Sequence, residues 1–334
     1  GSIPLGKTIR LNYGVCVVGA GPDKTMLTAG GCDMGASNFY VEHEDAVLTG
    51  VCVDNPWCNW GTMMSLSDGV ISNCVFRKCG SNYTGTMFML GGRLVDCRFD
   101  QCWSPHAGIG GVLVTGSDAV IERCVFSGLS GMSSGVAIRV QDTTSPGPTI
   151  RNCLLEGSKS TGVNVAAAVY CASPAVIENC TIAGNKMEYG AKAGGLYLAA
   201  NDVEVRNTIV WGNTVHATNI VEGIDGTVVT NIGWNAVDVS VAADKSVVFS
   251  HSCAPELADV ATCLAEDPKY NAGRKSKLPY YAILGSSPCK NTGVKLDWMT
   301  DEATDIIGNP RVFGVMPDMG CYESMAGGLI IIFR

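Results

Sequence analysis

The chain has 334 residues, of which 16% are charged, and its net charge is −8. This acidic balance, without any cluster of basic residues, argues against a nucleic-acid partner. No apolar run reaches the roughly 18 residues that a spanning helix needs, which argues against a transmembrane segment.

Residues 1–45 are the predicted entry to the fold. The stretch VCVVGAG (15–21) reads as a strand and a turn. The opening GSIPLGKTIRL shows no signal peptide, so we expect Gly1 to be a mature or trimmed start.

Residues 46–235 contain an internal repeat. Seven segments each place one corner residue between two short β-type runs, and successive corners are 23, 23, 27, 29, 27 and 28 residues apart. A period of about 20–30 residues built from short strands indicates a solenoid. The corners are Gly50, Asn73, Asp96, Arg123, Asn152, Asn179 and Asn207.

The pattern around each corner predicts the type of solenoid. In VIENCTI (176–182), a straight strand cannot direct Ile177, Cys180 and Ile182 to one side, whereas a bend at Asn179 can. Asn, Asp and Gly tolerate the left-handed backbone region, and only Arg123 departs from these types. With a further strand before each corner, every coil has about three strands. The sequence therefore predicts an all-β fold, a right-handed single-stranded parallel β-helix over residues 1–253, with an irregular C-terminal cap over 254–334.

Stacked coils place equivalent residues in columns. The position after the corner predicts an inward cysteine ladder, which fills a narrow core. A metal or disulfide array is the alternative, but one inward column has the wrong geometry for a tetrahedral site. We also expect an amide ladder at the corners and an outward ion-pair ladder. The three ladders are, in order, Cys74, Cys97, Cys124, Cys153 and Cys180; Asn152, Asn179 and Asn207; and Glu122, Arg151, Glu178 and Arg206.

The remaining cysteines suggest disulfides. Cys79 and Cys102 each follow a ladder cysteine by five residues, so they could bridge or simply stack. In the irregular C-terminal part, the pairs Cys253 with Cys263 and Cys289 with Cys321 are plausible disulfides, which an oxidising compartment would keep.

The repeats resemble the right-handed parallel β-helix proteins of the pectate-lyase-like superfamily, best in AGGLYLAANDVEVRNTIVWGN (193–213). Three C-terminal blocks, SSPCKNTG (286–293), DIIGNPRV (305–312) and PDMGCYE (317–323), resemble the choice-of-anchor Q segment. Asn291 stands where that family has Asp, and Cys321 where it has Ala. The resemblance implies a secreted or cell-surface bacterial protein, but the superfamily includes lyases, hydrolases, adhesins and structural fibres, so it implies no single chemistry.

A catalytic centre is not evident. Polysaccharide hydrolysis needs paired carboxylates, and lyase chemistry needs a base with calcium or another group that neutralises the acid. The nearest acid–base group is Asp96, Arg98 and Asp100 with Arg123, and Asp96 reads as a substitute for the usual corner Asn. We predict no resident cofactor; calcium is the candidate if the chain is a lyase.

Aromatic residues offer a binding hypothesis. Trp57, Trp60 and Trp103 belong to the early coils, where exposed flat rings suit stacking on sugars; the alternative is that they cover the core or a loop. Two function classes follow. One is a secreted or cell-surface β-helix with a structural, adhesive or glycan-binding role, whose partner is an extracellular polysaccharide or cell-surface component. The other is a polysaccharide lyase or glycoside hydrolase acting on an outward face.

The terminal stretch GGLIIIFR begins at Gly327 and ends at Arg334. It is too short to span a membrane, and it reads as a strand that extends the sheet of its own chain, as a strand that pairs with a neighbouring molecule, or as an attachment signal. Self-association through this stretch or through the open ends of the solenoid is therefore a further prediction.

Overall fold

A computed structural model describes residues 2–5, 8–29, 39–58, 61–162, 167–188, 191–222, 228–271 and 278–325. Trp60 and the terminal stretch 327–334 lie outside the described residues. The expectations for them therefore stay predictions.

The described chain is built almost wholly from short strands. The first are β1 (Ser2–Leu5), β2 (Ile9–Leu11), β3 (Cys16–Val18), β4 (Met26–Ala29), β5 (Phe39–Val41), β6 (Val47–Thr49), β7 (Cys52–Asp54), β8 (Trp57–Cys58), β9 (Met64–Leu66), β10 (Val70–Ser72), β11 (Val75–Arg77) and β12 (Gly80–Ser81). The middle coils contain β13 (Met87–Met89), β14 (Arg93–Val95), β15 (Arg98–Asp100), β16 (Val112–Val114), β17 (Val120–Glu122), β18 (Val125–Ser127), β19 (Ser130–Gly131), β20 (Ile138–Val140), β21 (Thr149–Arg151), β22 (Leu154–Glu156) and β23 (Lys159–Ser160). The last are β24 (Val169–Cys171), β25 (Ala175–Glu178), β26 (Thr181–Ala183), β27 (Lys186–Met187), β28 (Leu196–Leu198), β29 (Val203–Arg206), β30 (Ile209–Trp211), β31 (Thr214–Glu222), β32 (Val228–Ala236), β33 (Val239–Val241) and β34 (Val247–Ser250), followed by one 3₁₀ turn at Pro255–Leu257.

The strands stack into parallel sheets, which confirms the predicted all-β parallel β-helix. Sheet A has the order β1-β4-β7-β11-β15-β18-β22-β26-β30, sheet B β2-β5-β9-β13-β16-β20-β24-β28-β33, and sheet C β3-β6-β10-β14-β17-β21-β25-β29-β34. Sheet D consists of β8-β12 and β19-β23-β27-β31-β32, which Trp103 links by single bridges to Gly80 and Ser130. A regular coil therefore has four strands rather than about three, because its two-residue sheet D strand is too short to show a periodic pattern.

Left-handed corners connect sheet C to sheet A. All seven predicted corner residues have positive φ, from 47° at Asn73 to 70° at Gly50, and Arg123 adopts 49° despite its residue type. A second column of corners lies five residues further on and leads from sheet A to sheet D. It comprises Asn55, Lys78, Gln101, Gly128, Gly157, Gly184 and Gly212. The recurrent glycines at this spacing were the signal for it.

The core is a stack of equivalent side chains. Phe76, Phe99 and Phe126 stack in register, with neighbouring ring centroids 4.8 and 4.9 Å apart. A separate buried polar ladder links the last coils, where Asn185 Nδ2 donates to Asn213 Oδ1 over 2.8 Å and Asn213 Nδ2 donates to Asp238 Oδ1 over 2.6 Å. Each coil is thus held to the next by like residues as well as by the strand hydrogen bonds.

The last regular coil carries an insertion that the sequence analysis did not anticipate. Strands β31 and β32 are nine residues each and pair antiparallel from Thr214 with Ala236 to Glu222 with Val228. The hairpin extends sheet D beyond the stack of two-residue strands.

The C-terminal segment (278–325) lies along the outer face of sheet A. There Leu154, an outward residue of β22, is buried with Ala282, Cys321 and Tyr322. Two coils further along the helix, Ile209 of β30 is buried with Ile283 and other C-terminal residues. Under this segment the outward column reads Leu154, Thr181 and Ile209, all buried, whereas its equivalent in β15 is the exposed Arg98.

Candidate functional site on the outer face of sheet D

Sheet D presents one continuous outward column along the helix axis. Its members are adjacent in register, one per coil, at a strand spacing of about 4.8 Å. The next residue of each strand, such as Ser81 or Met187, points inward and is buried. The column reads Trp57, Gly80, Trp103, Ser130, Lys159, Lys186 and Thr214.

Trp57 and Trp103 lie two coils apart, yet their rings meet. Their centroids are 4.8 Å apart with an interplanar angle of 33°. Gly80 stands between them, and a Cβ there would lie 2.5 Å from Trp57 and 3.1 Å from Trp103. The absent side chain therefore leaves the space in which the two indoles close over the sheet, and Trp103 stays 38% exposed.

A second aromatic pair follows this sheet in the early coils. Tyr83 and His106 stack with centroids 6.1 Å apart, and Tyr83 is exposed. Nothing in the sequence spacing of His106 indicates that it meets a tyrosine one coil away.

The other end of the column carries cations and a third tryptophan. Lys186 Nζ lies 5.8 Å from the centroid of the exposed Trp234 ring, which itself packs at 4.9 Å from the His216 ring. His216 Nδ1 is 3.4 Å from Glu188 Oε2. The face therefore combines flat rings at both ends with two lysines between them.

The acid–base group around Asp96 forms ion pairs. Arg123 holds Asp96 through two hydrogen bonds of 2.7 and 3.0 Å, and Arg98 lies 3.7 Å from Asp100. Arg123 also donates to the buried Glu122 over 2.7 Å. This network neutralises both charges of the Asp96–Arg123 pair.

The predicted charge column lies on the outer face of sheet C. Arg151 donates to Glu122 over 3.1 Å, and Arg206 lies 3.1 Å from Glu178. Burial raises the pKa of Glu122, but the guanidinium groups of Arg151 and Arg123 outweigh it and hold that pKa below its ordinary value. At Glu178 burial dominates and raises the pKa, with Arg206 opposing.

The structure places the five ladder cysteines in one buried column of free thiols. Burial and neighbouring thiols raise the pKa of Cys97 and of Cys153 well above the ordinary range. At Cys124 burial also raises the pKa, but hydrogen bonds from Cys153 and Cys97 outweigh it and lower that pKa. The near-complete burial of the whole column supports a packing role. Among the described residues, no group of three or more His, Cys, Asp or Glu could hold a metal ion. Cys79 and Cys102 stack in the same way as buried free thiols.

The disulfides expected in the C-terminal part are not formed, since Cys253, Cys263, Cys289 and Cys321 are all free. Cys253 packs with Cys289, whereas Cys263 packs against the main core and Cys321 lies in a separate cluster with Leu154. The hydrogen bond from Cys289 and burial raise the pKa of Cys253. One disulfide is present elsewhere, at Cys58.

The asparagine corners hold the C-terminal segment. The amides of Asn152, Asn179 and Asn207 donate to the carbonyl oxygens of Thr304, Asp318 and Val294, over 3.2, 3.4 and 2.8 Å. Within the predicted amide ladder, Asn207 Nδ2 also donates to Asn179 Oδ1 over 3.4 Å. These side chains therefore bind the covering segment in addition to neighbouring coils.

The three C-terminal blocks meet in a buried network. Arg311 is fully buried, 3.3 Å from Glu323, and it donates to the Asp318 carbonyl. The Asp305 carboxylate accepts the backbone N–H groups of Ile307, Asn309 and Glu323. Burial raises the pKa of Glu323 to about 7, and Arg311 opposes that shift. Asp305, Arg311 and Glu323 thus pair with backbone groups or with an opposite charge inside the segment, which is a structural role.

The described residues include no helix long and apolar enough to cross a membrane.

A family model for the right-handed β-helix region matches residues 32–170 and 110–255. No curated protein and no solved structure matches the chain. The two overlapping matches span the regular coils, including the outer face of sheet D.

Proposed function

This chain belongs to the right-handed β-helix family, and we propose that it is a non-catalytic protein that binds an extracellular glycan along the outer face of sheet D. The observation that carries the proposal is the Trp57–Trp103 pair closed over Gly80. Exposed indole faces supply apolar area at low entropic cost, and an N–H that can reach a hydroxyl.

The form of the face supports a polymer rather than a small molecule. Its rungs repeat every 4.8 Å or so along the axis, so an extended chain of sugar rings meets equivalent positions coil after coil. Trp57 stands on the paired strand β8, and Trp103 is bridged to Gly80 and Ser130 on its two sides, which pre-organises the two rings.

We place the protein outside the cell, secreted or surface-attached. The disulfide at Cys58 is of a kind that persists in oxidising compartments. The likeness of the C-terminal blocks to a choice-of-anchor Q segment adds support for surface attachment. The described part of the segment packs along sheet A and not along sheet D.

Affinity electrophoresis in gels that contain plant, algal and animal polysaccharides tests the proposal. We expect at least one polymer to retard the protein, and Trp103→Ala to weaken that binding about tenfold. Tyr13→Asn is the matched control, because Tyr13 is an exposed aromatic outside sheet D whose φ of 57° asparagine tolerates.

Two results would overturn the proposal. One is the absence of retardation by every polymer, and the other is equal retardation of Trp103→Ala and the parent protein. Release of reducing ends or unsaturated products from a bound polymer would replace the non-catalytic role with the enzyme alternative.

A further inference from the structure

We propose that the glycan on sheet D is anionic, and that Lys159 and Lys186 bind its acidic groups. The inference rests on the proposed function, because it concerns the same face. It adds the charge of the ligand and the two residues that select it.

The first observation is the register. Lys159 and Lys186 are direct partners in neighbouring parallel strands, so their Cα atoms are about one strand spacing, 4.8 Å, apart. Both are exposed and both belong to the outward column. Like charges directly opposite each other on adjacent strands are destabilising, so this arrangement has a cost within the protein alone.

The second observation is the lack of an acidic partner. Neither lysine forms an ion pair with a carboxylate in the part of the chain that the structure describes. The nearby acid, Glu188, lies against His216 instead, at 3.4 Å. The protein as a whole carries a charge of −8, so two adjacent unpaired ammonium groups form a local positive patch on an acidic molecule.

The third observation is the surroundings of the pair. A depression of ≈ 470 Å³ beside the column is lined by Lys159, Ser160, Thr161, Gly162 and Glu188. Trp103 stands two rungs away, roughly 10 Å along the axis, and Trp234 flanks Lys186 on the other side. A sugar chain that is stacked on Trp103 and runs along the axis therefore passes over the two ammonium groups.

Charge complementarity points to carboxylate or sulfate groups on that chain. Both chemistries offer oxygen acceptors to an ammonium, and the lysines alone do not separate them. Two pairs of polymers distinguish carboxylate from sulfate binding. They are carboxymethyl cellulose with hydroxyethyl cellulose, and dextran sulfate with dextran. Each pair shares a backbone and differs in charge.

Dissociation constants for the four polymers, measured for the intact chain at low and high salt, test the inference. We expect at least one charged polymer to bind more tightly than its neutral partner, with a difference that shrinks as salt screens the contact. The double variant Lys159→Gln/Lys186→Gln should lose about tenfold in affinity for the charged polymer and keep its affinity for the neutral one.

The control is Lys245→Gln/Lys295→Gln, which removes the same charge from exposed positions outside sheet D. If it weakens binding as much as the sheet D variant, the effect is one of net charge and the inference is wrong. Equal affinity for charged and neutral polymers, with Trp103→Ala still weakening both, would overturn the inference and leave the proposed function standing. No binding to any of the four, together with a negative polysaccharide panel, would overturn both.

Discussion

Asn207 and Val294 bind each other through two hydrogen bonds although they are 87 positions apart. The Asn207 amide donates to the Val294 carbonyl and accepts from its N–H, both over 2.8 Å. A side-chain amide thereby takes the place of a neighbouring strand for a segment that has no strand of its own. Since Asn207 is also a left-handed corner, one residue turns the coil and holds the C-terminal segment against it.

Replacing Asn207 by glycine should loosen the C-terminal segment and leave the coils intact. Glycine keeps the left-handed corner, so the change removes the two hydrogen bonds to Val294 and the longer one to Asn179, at a cost of about 2 kcal/mol. Amide exchange should therefore rise around Val294 and Gly320. Asn73→Gly is the control, because its side chain is exposed at an equivalent corner that the segment does not cover. Unchanged exchange in Asn207→Gly would contradict this role.

Gly80→Ala should separate the two stacked indoles. The new Cβ would lie 2.5 Å from Trp57, so the ring must move, at a cost of about 1–3 kcal/mol in overpacking. We expect the coupled tryptophan signal in near-ultraviolet circular dichroism to fall. In Gly162→Ala the nearest atoms are 3.4 Å away, and the spectrum should stay as in the parent. An unchanged spectrum for Gly80→Ala would rule out the geometry described for the pair.

Asp238→Asn should stabilise the protein at neutral pH. Burial raises the pKa of Asp238 to about 6, against an unfolded value of 3.8, so the folded state holds the proton more tightly. Stability from this group is therefore full below pH 3.8 and is lost as pH rises to about 6. Asparagine does not titrate and extends the ladder of Asn185 and Asn213, so its advantage should grow to about 3 kcal/mol over this interval.

Thermal unfolding of both proteins between pH 4 and pH 8 measures this difference. Groups common to the two chains cancel in the comparison. A melting-temperature difference that stays constant across the range would show that Asp238 does not titrate there.

The thiols should differ sharply in reactivity. Cys16 is exposed, whereas the ladder cysteines are buried as free thiols. A thiol reagent should label Cys16 rapidly in the native protein, label the half-buried Cys263 more slowly, and reach the ladder only on unfolding. Cys16→Ser should remove the rapid phase. Rapid labelling of Cys124 in that variant would mean that the column is not packed as described.

The local pattern predicted the repeat well because it depends on short-range geometry. Corners at Asn73 or Asn179 and inward residues such as Cys180 follow from alternation along a strand and from the few residue types that tolerate positive φ. The second corner leaves a signal in the recurrent glycines, such as Gly128 and Gly157. The sheet D strands that follow it leave none, because two residues are too few to show an alternating pattern.

The coils, their inward columns and their corner positions follow from local sequence, because covalent geometry fixes which way each side chain of a short strand points. The contacts across coils of unequal length arise only in the stacked fold: Trp57 with Trp103, Lys159 with Lys186, and Asn207 with Val294. Because the loops differ in length, the number of residues from one coil to the next varies. Which residues contact each other therefore depends on the register of the paired strands and cannot be read from a constant sequence spacing. The path of the C-terminal segment likewise depends on which outer face is apolar, a property of Leu154 and Ile209 that becomes a surface only when their coils are stacked.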